Sequence, residues 1–251
     1  MANLVKTKSK LKENMNKMFW ATVIAIAFAL IFLAFSLILA FNIIFKDADI
    51  SLLVPLVLFV VCLIVFAFFI YFKKQYSILK SGVKGENRTY KILSKLSENY
   101  TLLTNPVIYN RGKKTELDFV LICSDAVYIV ETKNYKGIIR GRCDDDEWTQ
   151  IKERGNKTYT KKIKNPIKQS LKQVNMLTQC LSDSGISAQL FPIVYFADPN
   201  MAMESDWDQN NMICCIKDEN QLVSYIVNTK GNIAIDAETK DRIVELITSK
   251  E

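Results

Sequence analysis

The sequence predicts a mixed α/β domain of three layers, preceded by two helices that span a membrane. Three observations carry this. Residues 19–45 and 52–72 hold no charged side chain and are dominated by Leu, Ile, Val, Ala and Phe. Residues 101–133 divide into short apolar runs separated by turn signals, the pattern of successive antiparallel strands. Residues 165–181, 219–228 and 237–249 read as helices, the first with apolar positions Ile167, Leu171, Val174 and Leu177 or Met176 at helical spacing.

About 20 apolar residues cross a bilayer core as helix, so the first run spans it with some to spare. A cleavable signal peptide does not fit, because the run is too long and a second follows almost at once. Pro55 falls in the first turn of the second run, where a missing N–H costs little. Residues 46–51 leave room only for a tight turn, so the two runs read as a helical hairpin. Lys6, Lys8, Lys10, Lys12 and Lys17 precede it, Lys73, Lys74, Lys80 and Lys84 follow it, and its linker sets Lys46 against Asp47 and Asp49. Lysine marks the cytoplasmic side, so the chain is expected as a multi-pass protein of the cell membrane with both termini cytoplasmic. Trp20 and Tyr71 suit the interfacial aromatic belt. Ser36 and Asn42 are the strongly polar residues of the spans, so the hairpin reads as an anchor in the lipid bilayer through residues 19–72 and not as a transport path. The expected organisation is a basic cytoplasmic tail (1–18), the hairpin (19–72), a juxtamembrane linker (73–81) and a soluble domain (82–251).

Within the soluble part, residues 73–84 are basic and polar, a linker or helical extension. Val83, Tyr90, Leu93 and Leu96 mark a helix over 83–100. An extended stretch over 101–109 leads to the turn Asn110-Arg111-Gly112-Lys113, a strand over 115–123, a turn at Ser124-Asp125 and a strand over 127–133. Residues 137–142 and 148–152 form a hairpin around the acidic turn 144–147. Asn165-Pro166 opens the first later helix, with proline at the first helical position. Residues 189–197 and 212–216 have strand length and apolarity.

Composition narrows the chemistry. There is no histidine, which excludes Ser-His-Asp and Cys-His catalysis, His-liganded zinc and His-based proton transfer. Cys62, Cys123, Cys143, Cys180, Cys214 and Cys215 include no C-x-x-C pair and read as free thiols in a reducing compartment. The net charge of +7 suits anionic lipid or nucleic acid, and equally suits solubility and membrane topology. Any catalysis rests on carboxylates, lysine, hydroxyls, thiols or an oxygen-liganded metal.

Side chains alternate along a strand, so Val127, Ile129, Glu131 and Lys133 share one side. Glu131 and Lys133 therefore emerge together at the end of an apolar strand. Antiparallel pairing through Ser124-Asp125 brings Asp118 towards Glu131, and two carboxylates held this way suit a hard divalent cation. A neighbouring lysine can orient water or stabilise charge on phosphate. Glu131 and Lys133 alone also fit a simple ion pair at a strand end. Asp118 is harder to explain so, because an acid among Leu117 and Phe119–Ile122 is costly to bury without a partner.

Asp118 followed by Glu131-Thr132-Lys133 resembles the D…E-x-K core of the PD-(D/E)xK nuclease superfamily. More narrowly, the chain resembles the nuclease-related domain, NERD, over about residues 82–200. The pieces are Gly82-Val83-Lys84-Gly85-Glu86, Leu117-Asp118, residues 130–137 (VETKNYKG), Gly141 with Trp148, and Asn165-Pro166-Ile167-Lys168-Gln169. Leu117 stands where the superfamily name has proline. The resemblance implies a restriction-endonuclease-like fold with a metal-dependent phosphodiesterase site. By position it makes Asp118 and Glu131 ligands of Mg²⁺ or Mn²⁺, Lys133 the residue that positions water, and Glu86 and Gln169 supporting groups.

The basic stretch 152–172 holds Lys152, Arg154, Lys157, Lys161, Lys162, Lys164, Lys168 and Lys172 against Glu153, with Tyr159 interleaved. Lys157, Lys161, Lys162, Lys164 and Lys168 are the candidate nucleic-acid contacts. A solvated loop and helix face, or anionic lipid, fits the same charges. The acidic cluster 144–147 lacks the ligand spacing of a calcium loop. The expected function is a membrane-anchored, cytoplasm-facing, Mg²⁺-dependent nuclease or nucleic-acid processing protein, acting on DNA ahead of RNA, with a homodimer as candidate assembly. The alternative is a catalytically inactive nucleic-acid- or protein-binding module tethered to the membrane.

Overall fold

The structure, a computed structural model, describes residues 1–46, 51–204 and 214–249. It divides into two units, Lys10–Val83 and the combination of Met1–Ser9 with Lys84–Glu251.

The first unit is built from α1 (Lys10–Lys46) and the apolar part of α2 (Leu53–Leu93). Both are long and apolar enough to cross a membrane. Small residues line their contact: Ala25, Ala29, Ser36 and Cys62 are buried, letting the backbones approach. The Ser36 hydroxyl donates to the Pro55 carbonyl at 2.8 Å, and the Cys62 thiol to that of Ala29 at 3.3 Å. The large side chains point outward; Phe28, Ile31, Phe35, Leu63 and Phe68 are each more than half exposed. The turn expected over 46–51 lies mainly outside the described residues. Residues 73–81, expected as a linker or helical extension, continue α2 as helix, since their lysines, serines and Tyr76 are compatible with it and no proline or glycine interrupts them before Gly82.

The second unit has three layers. Its main sheet contains β1 (Asn3–Lys6), β2 (Thr101–Thr104), β5 (Phe119–Ile122), β6 (Val127–Lys133), β10 (Leu190–Phe196) and β12 (Cys214–Ile216), in the order β1-β2-β5-β6-β10-β12. The pairs β2–β5 and β5–β6 are antiparallel; β1–β2, β6–β10 and β10–β12 are parallel. Strand alternation sends Phe119, Leu121, Tyr128 and Val130 to one face, under the end of α2 and α4 (Glu219–Asn228). It sends Val120, Ile122, Val127 and Ile129 to the other, under α3 (Pro166–Asp183) and α5 (Ala237–Thr248). β3 (Val107–Asn110) and β4 (Lys113–Glu116) form a separate hairpin, and β11 (Ala202–Glu204), β7 (Ile138–Arg140), β8 (Glu147–Arg154) and β9 (Lys157–Lys164) a second sheet.

The three-layer α/β expectation holds, and several local expectations are corrected. The tail expected over 1–18 is β1 followed by the first turns of α1. The helix expected to reach residue 100 ends at Leu93. The run 101–109 is two strands, because Asn105 adopts φ 53 and Pro106 follows. Consequently β2, β5 and β6 pair without β3 and β4 between them, so 101–133 is not a simple meander. The β3–β4 turn has Arg111 at φ 47 and Gly112 at φ 75, the left-handed pair that a two-residue hairpin requires. The basic stretch 152–172, for which a solvated loop and helix face was one alternative, is the end of β8, all of β9 and the start of α3. Of the run 212–216, residues 214–216 form β12 and the rest lies outside the described residues.

Two glycines allow close packing. A side chain on Gly141 would collide with the indole of buried Trp148, whose Nε1 donates to the Arg142 carbonyl at 2.8 Å. Gly85 brings α2 against the end of β6, where a Cβ would lie 2.7 Å from the Cβ of Asn134.

β1 protects the edge of β2 by pairing Asn3–Lys6 with Thr101–Thr104. The Thr7 hydroxyl extends the contact, lying 2.7 Å from the carbonyls of both Thr104 and Asn105. Deleting residues 2–8 is expected to cost about 2–3 kcal/mol, at about 1 kcal/mol per net hydrogen bond. In detergent micelles the thermal midpoint should fall by about 5–10 °C. An unchanged midpoint contradicts a stabilising role for the strand.

Candidate active site

The β5–β6 register places Phe119 opposite Val130, so Asp118, one residue earlier, arrives opposite Glu131. The Thr132 N–H donates to Asp118 Oδ2 at 2.7 Å. Asp118 and Glu131 are thus brought together from the ends of adjacent strands, on the face covered by α3.

Glu131 is 2% exposed, and its carboxylate is surrounded by donors. Lys133 Nζ lies 2.6 Å and Gln169 Nε2 2.7 Å from Oε1, while Gln173 Nε2 lies 2.6 Å from Oε2. Lys133 Nζ also donates to Gln169 Oε1 at 2.9 Å. Both glutamines come from α3, one turn apart, a spacing that puts them on the same helix face. The helix is fixed at its start by Asn165, 2% exposed. Its side-chain oxygen accepts from the N–H groups of Ile167 and Lys168, and its Nδ2 donates to the carbonyls of Arg142, Cys143 and Asp145. Pro166 then occupies the first turn, where its missing N–H costs nothing.

Glu86 projects from α2 just beyond Gly85. Asn105 Nδ2 lies 3.4 Å from Glu86 Oε2, and the Asn105 N–H donates to the Asp118 carbonyl at 2.8 Å. Thr132 Oγ1 and Thr89 Oγ1 are 3.0 Å apart, joining β6 to the same helix.

The electrostatics reflect burial and crowding of acids. Burial pushes Asp118 well above the ordinary carboxylate range, and Glu131 and Glu86 add to this against the opposing Lys133. Burial raises Glu86 to about 7, helped by Glu116 and Glu131 and opposed by the Asn105 hydrogen bond. For Lys133, burial favours the neutral amine, but Glu131, Tyr135 and Asp118 outweigh it and hold the ammonium above the usual lysine value. Lys133 is therefore a cation and hydrogen-bond donor near neutral pH.

The five polar residues singled out in the sequence, Glu86, Asp118, Glu131, Lys133 and Gln169, fall in this one region. Gln173 was missed. An apolar helical stripe chosen from Ile167, Leu171, Val174 and Leu177 passes over it, whereas the buried face runs through Ile167, Ser170, Gln173 and Leu177. The available signal was its four-residue separation from Gln169. Asn105 was also missed; its left-handed backbone has no sequence marker beyond an asparagine before proline. The candidate nucleic-acid lysines do not form one patch. Lys168 is bonded to Asp146 at 2.6 Å, and the four on β9 divide between its two faces.

Hard oxygen donors, mutual repulsion among Asp118, Glu131 and Glu86, and the unpartnered buried amide oxygen of Gln173 fit an oxygen-liganded cation such as Mg²⁺. Among the described residues no group of three acidic or thiol ligands is preassembled. Mg²⁺ commonly uses one or two protein carboxylates, with water and phosphate completing its shell.

The layers and the Asp118…Glu131-x-Lys133 centre define a restriction-endonuclease-like domain. Residues 81–197 match the family model of the nuclease-related domain, NERD. It is 34% identical over 98 residues to an uncharacterized protein of Bacillus anthracis, a match covering 38% of this chain and 44% of the relative. The chain thus spans less than half of that relative's length. No solved structure matches the chain.

Glu86 gives a pH signature. Between its ordinary value of 4.5 and about 7, the folded protein keeps a proton that the unfolded chain has released. Stability therefore declines as pH rises through this window. In EDTA at pH 8, Glu86→Gln is expected to exceed the native chain by about 1–3 kcal/mol, within the limit set by 1.36 kcal/mol per pH unit. The gap should close below about pH 4.5. A gap that is absent at pH 8, or independent of pH, contradicts the strained carboxylate.

Proposed function

We propose that this chain is a membrane-anchored, cytoplasm-facing nuclease that hydrolyses phosphodiester bonds with Mg²⁺ or Mn²⁺. The convergence of Asp118, Glu131 and Lys133 at the ends of β5 and β6, with Glu86 and Gln169 beside them, carries the proposal. Asp118 and Glu131 would hold the metal, which supplies Lewis-acid stabilisation of phosphate charge and a more acidic bound water. The Lys133 ammonium positions the attacking water and offsets negative charge developing on phosphate. Glu86, whose carboxylate burial and neighbouring acids push up in the metal-free site, would regain its charge beside a bound cation and help to hold the metal or its water. Gln169 links the Lys133 ammonium to the Glu131 carboxylate and keeps both oriented. Hydrolysis adds the water oxygen to phosphorus and releases one ester oxygen as a hydroxyl.

The anchoring proposal has support in strand pairing. β1 precedes the apolar hairpin and β2 follows it, yet they pair residue for residue, which supports a topology with both on the same side of the membrane. The lysine bias assigns that side to the cytoplasm. Protease added to sealed right-side-out vesicles should spare residues 1–9 and 84–251 until the membrane is permeabilised. Digestion of either segment in sealed vesicles overturns this topology.

A second reading, a binding module without turnover, draws on the saturation of Glu131 by three donors. The readings separate in one assay. The full chain in detergent micelles is incubated with single- and double-stranded DNA and RNA, with Mg²⁺, Mn²⁺ or EDTA. Metal-dependent cleavage is expected, falling about 100-fold or more in Lys133→Ala and Glu131→Gln, the scale of losing a transition-state donor. No cleavage with either metal, alongside metal-independent binding, replaces the nuclease with the binding module.

A further inference from the structure

We propose that the β8–β9 hairpin is a docking surface for single-stranded nucleic acid, and that only one of its faces makes the contact. The inference rests on the nucleic-acid reading above and narrows it to a surface and a strand state.

The register settles which side chains share a face. On one face lie the cross-strand pairs Trp148 with Ile163, Gln150 with Lys161, and Lys152 with Tyr159, followed by Lys157 on β9. On the other lie Glu147 with Lys164, Thr149 with Lys162, Ile151 with Thr160, and Glu153 with Thr158. Both acidic residues of the hairpin therefore fall on the second face. The first presents Lys152, Lys157 and Lys161 without a carboxylate among them. No acidic partner lies within 4 Å of these three ammonium groups among the described residues.

Burial shows how the hairpin is mounted. Trp148 and Ile163 join a buried cluster with Ile139, Val194 and Phe196, and Gln150 Nε2 donates to the Lys136 carbonyl at 2.8 Å. That carbonyl lies three residues beyond Lys133, so the anchored base of the hairpin is tied to the segment leaving the candidate site. From Lys157 to Lys162 the β9 side chains are exposed. A two-stranded ribbon has little stability of its own, and here the base supplies it.

Tyr159, 53% exposed, selects the ligand. It stands between Lys157 and Lys161, about 7 Å from each along the strand, opposite Lys152. An exposed aromatic ring among lysines offers a stacking platform for a base and cations for the backbone. Bases in a duplex are already stacked, so the ring favours an unpaired strand. Lipid headgroups would use the same charges and an interfacial tyrosine suits them too, so contact with phosphatidylglycerol nanodiscs is measured beside the oligonucleotide.

The test uses the full chain in a non-ionic detergent with EDTA present, and a fluorescent single-stranded oligonucleotide followed by anisotropy at several salt concentrations. Lys152→Ser/Lys157→Ser/Lys161→Ser is expected to reduce the slope of log affinity against log salt by about 2, at about 0.7 per phosphate contact. Tyr159→Ala is expected to weaken binding by about 5- to 100-fold with the slope nearly unchanged, and Tyr159→Phe to retain affinity. Lys162→Ser/Lys164→Ser, on the other face, should bind like the native chain. Native affinity in the triple variant overturns the proposal, whether or not that variant loses contact with phosphatidylglycerol nanodiscs. So does an equal loss in the opposite-face pair, which would reduce the effect to overall charge. Cleavage is scored separately: binding through this face without metal-dependent cleavage sinks the nuclease alone, and cleavage with unaffected binding in the face variants sinks the docking surface alone.

Discussion

Glu131 is a carboxylate taken almost wholly out of water at the end of a central strand, and much of the domain is arranged around that fact. An ionised carboxylate in such a place costs several kcal/mol unless it is paired and hydrogen-bonded. Lys133 shares its strand and supplies the charge. Gln169 and Gln173 must come from elsewhere, so α3 has to pack on β6 in one rotation and one register. Asn165 secures that register by capping the helix and gripping the 142–145 turn with the same side chain. The Asn165-Pro166 pair is thus part of the site's support, although neither residue touches Glu131.

The other approach to the site is equally constrained. Gly85 permits α2 to reach the end of β6, and Glu86 follows at once. Asn105 faces Glu86 through its side chain and Asp118 through its backbone N–H. Its φ of 53 is uncommon for a residue other than glycine, and its carbonyl accepts from Thr7. Residues on either side of the apolar hairpin in sequence, Thr7 and Glu86, are therefore both bonded to Asn105. The N-terminal strand is part of the folded domain for this reason, and not only a leader into the first helix.

Much of this was legible because short-range rules dominate it. The apolar runs, the Asn165-Pro166 helix start, the Arg111-Gly112 turn and the strand carrying Glu131 follow from charge, capping, backbone freedom and alternation. The approach of Asp118 to Glu131 followed from one turn between two strands. What escaped was set by long-range pairing. Asn3–Lys6 has no periodicity that announces a partner about a hundred residues away. Residues 157–164 had no element assigned to them, because strand formation there depends on β8 alongside and on Ile163 entering the core. Gln173 was passed over because burial of a polar residue is visible only once Glu131 is known to need it.

The central claim, that Asp118 and Glu131 together form a divalent-cation site, is tested most directly by metal binding without substrate. Mn²⁺ titrated into the full chain in detergent micelles can be followed by the electron paramagnetic resonance signal of the free ion. Uptake of one Mn²⁺ per chain is expected, displaced by Mg²⁺, with affinity falling at least about tenfold in Asp118→Asn. That substitution keeps an acceptor for the Thr132 N–H, so the fold should persist. No uptake by the native chain, or equal uptake by Asp118→Asn, would contradict the metal site.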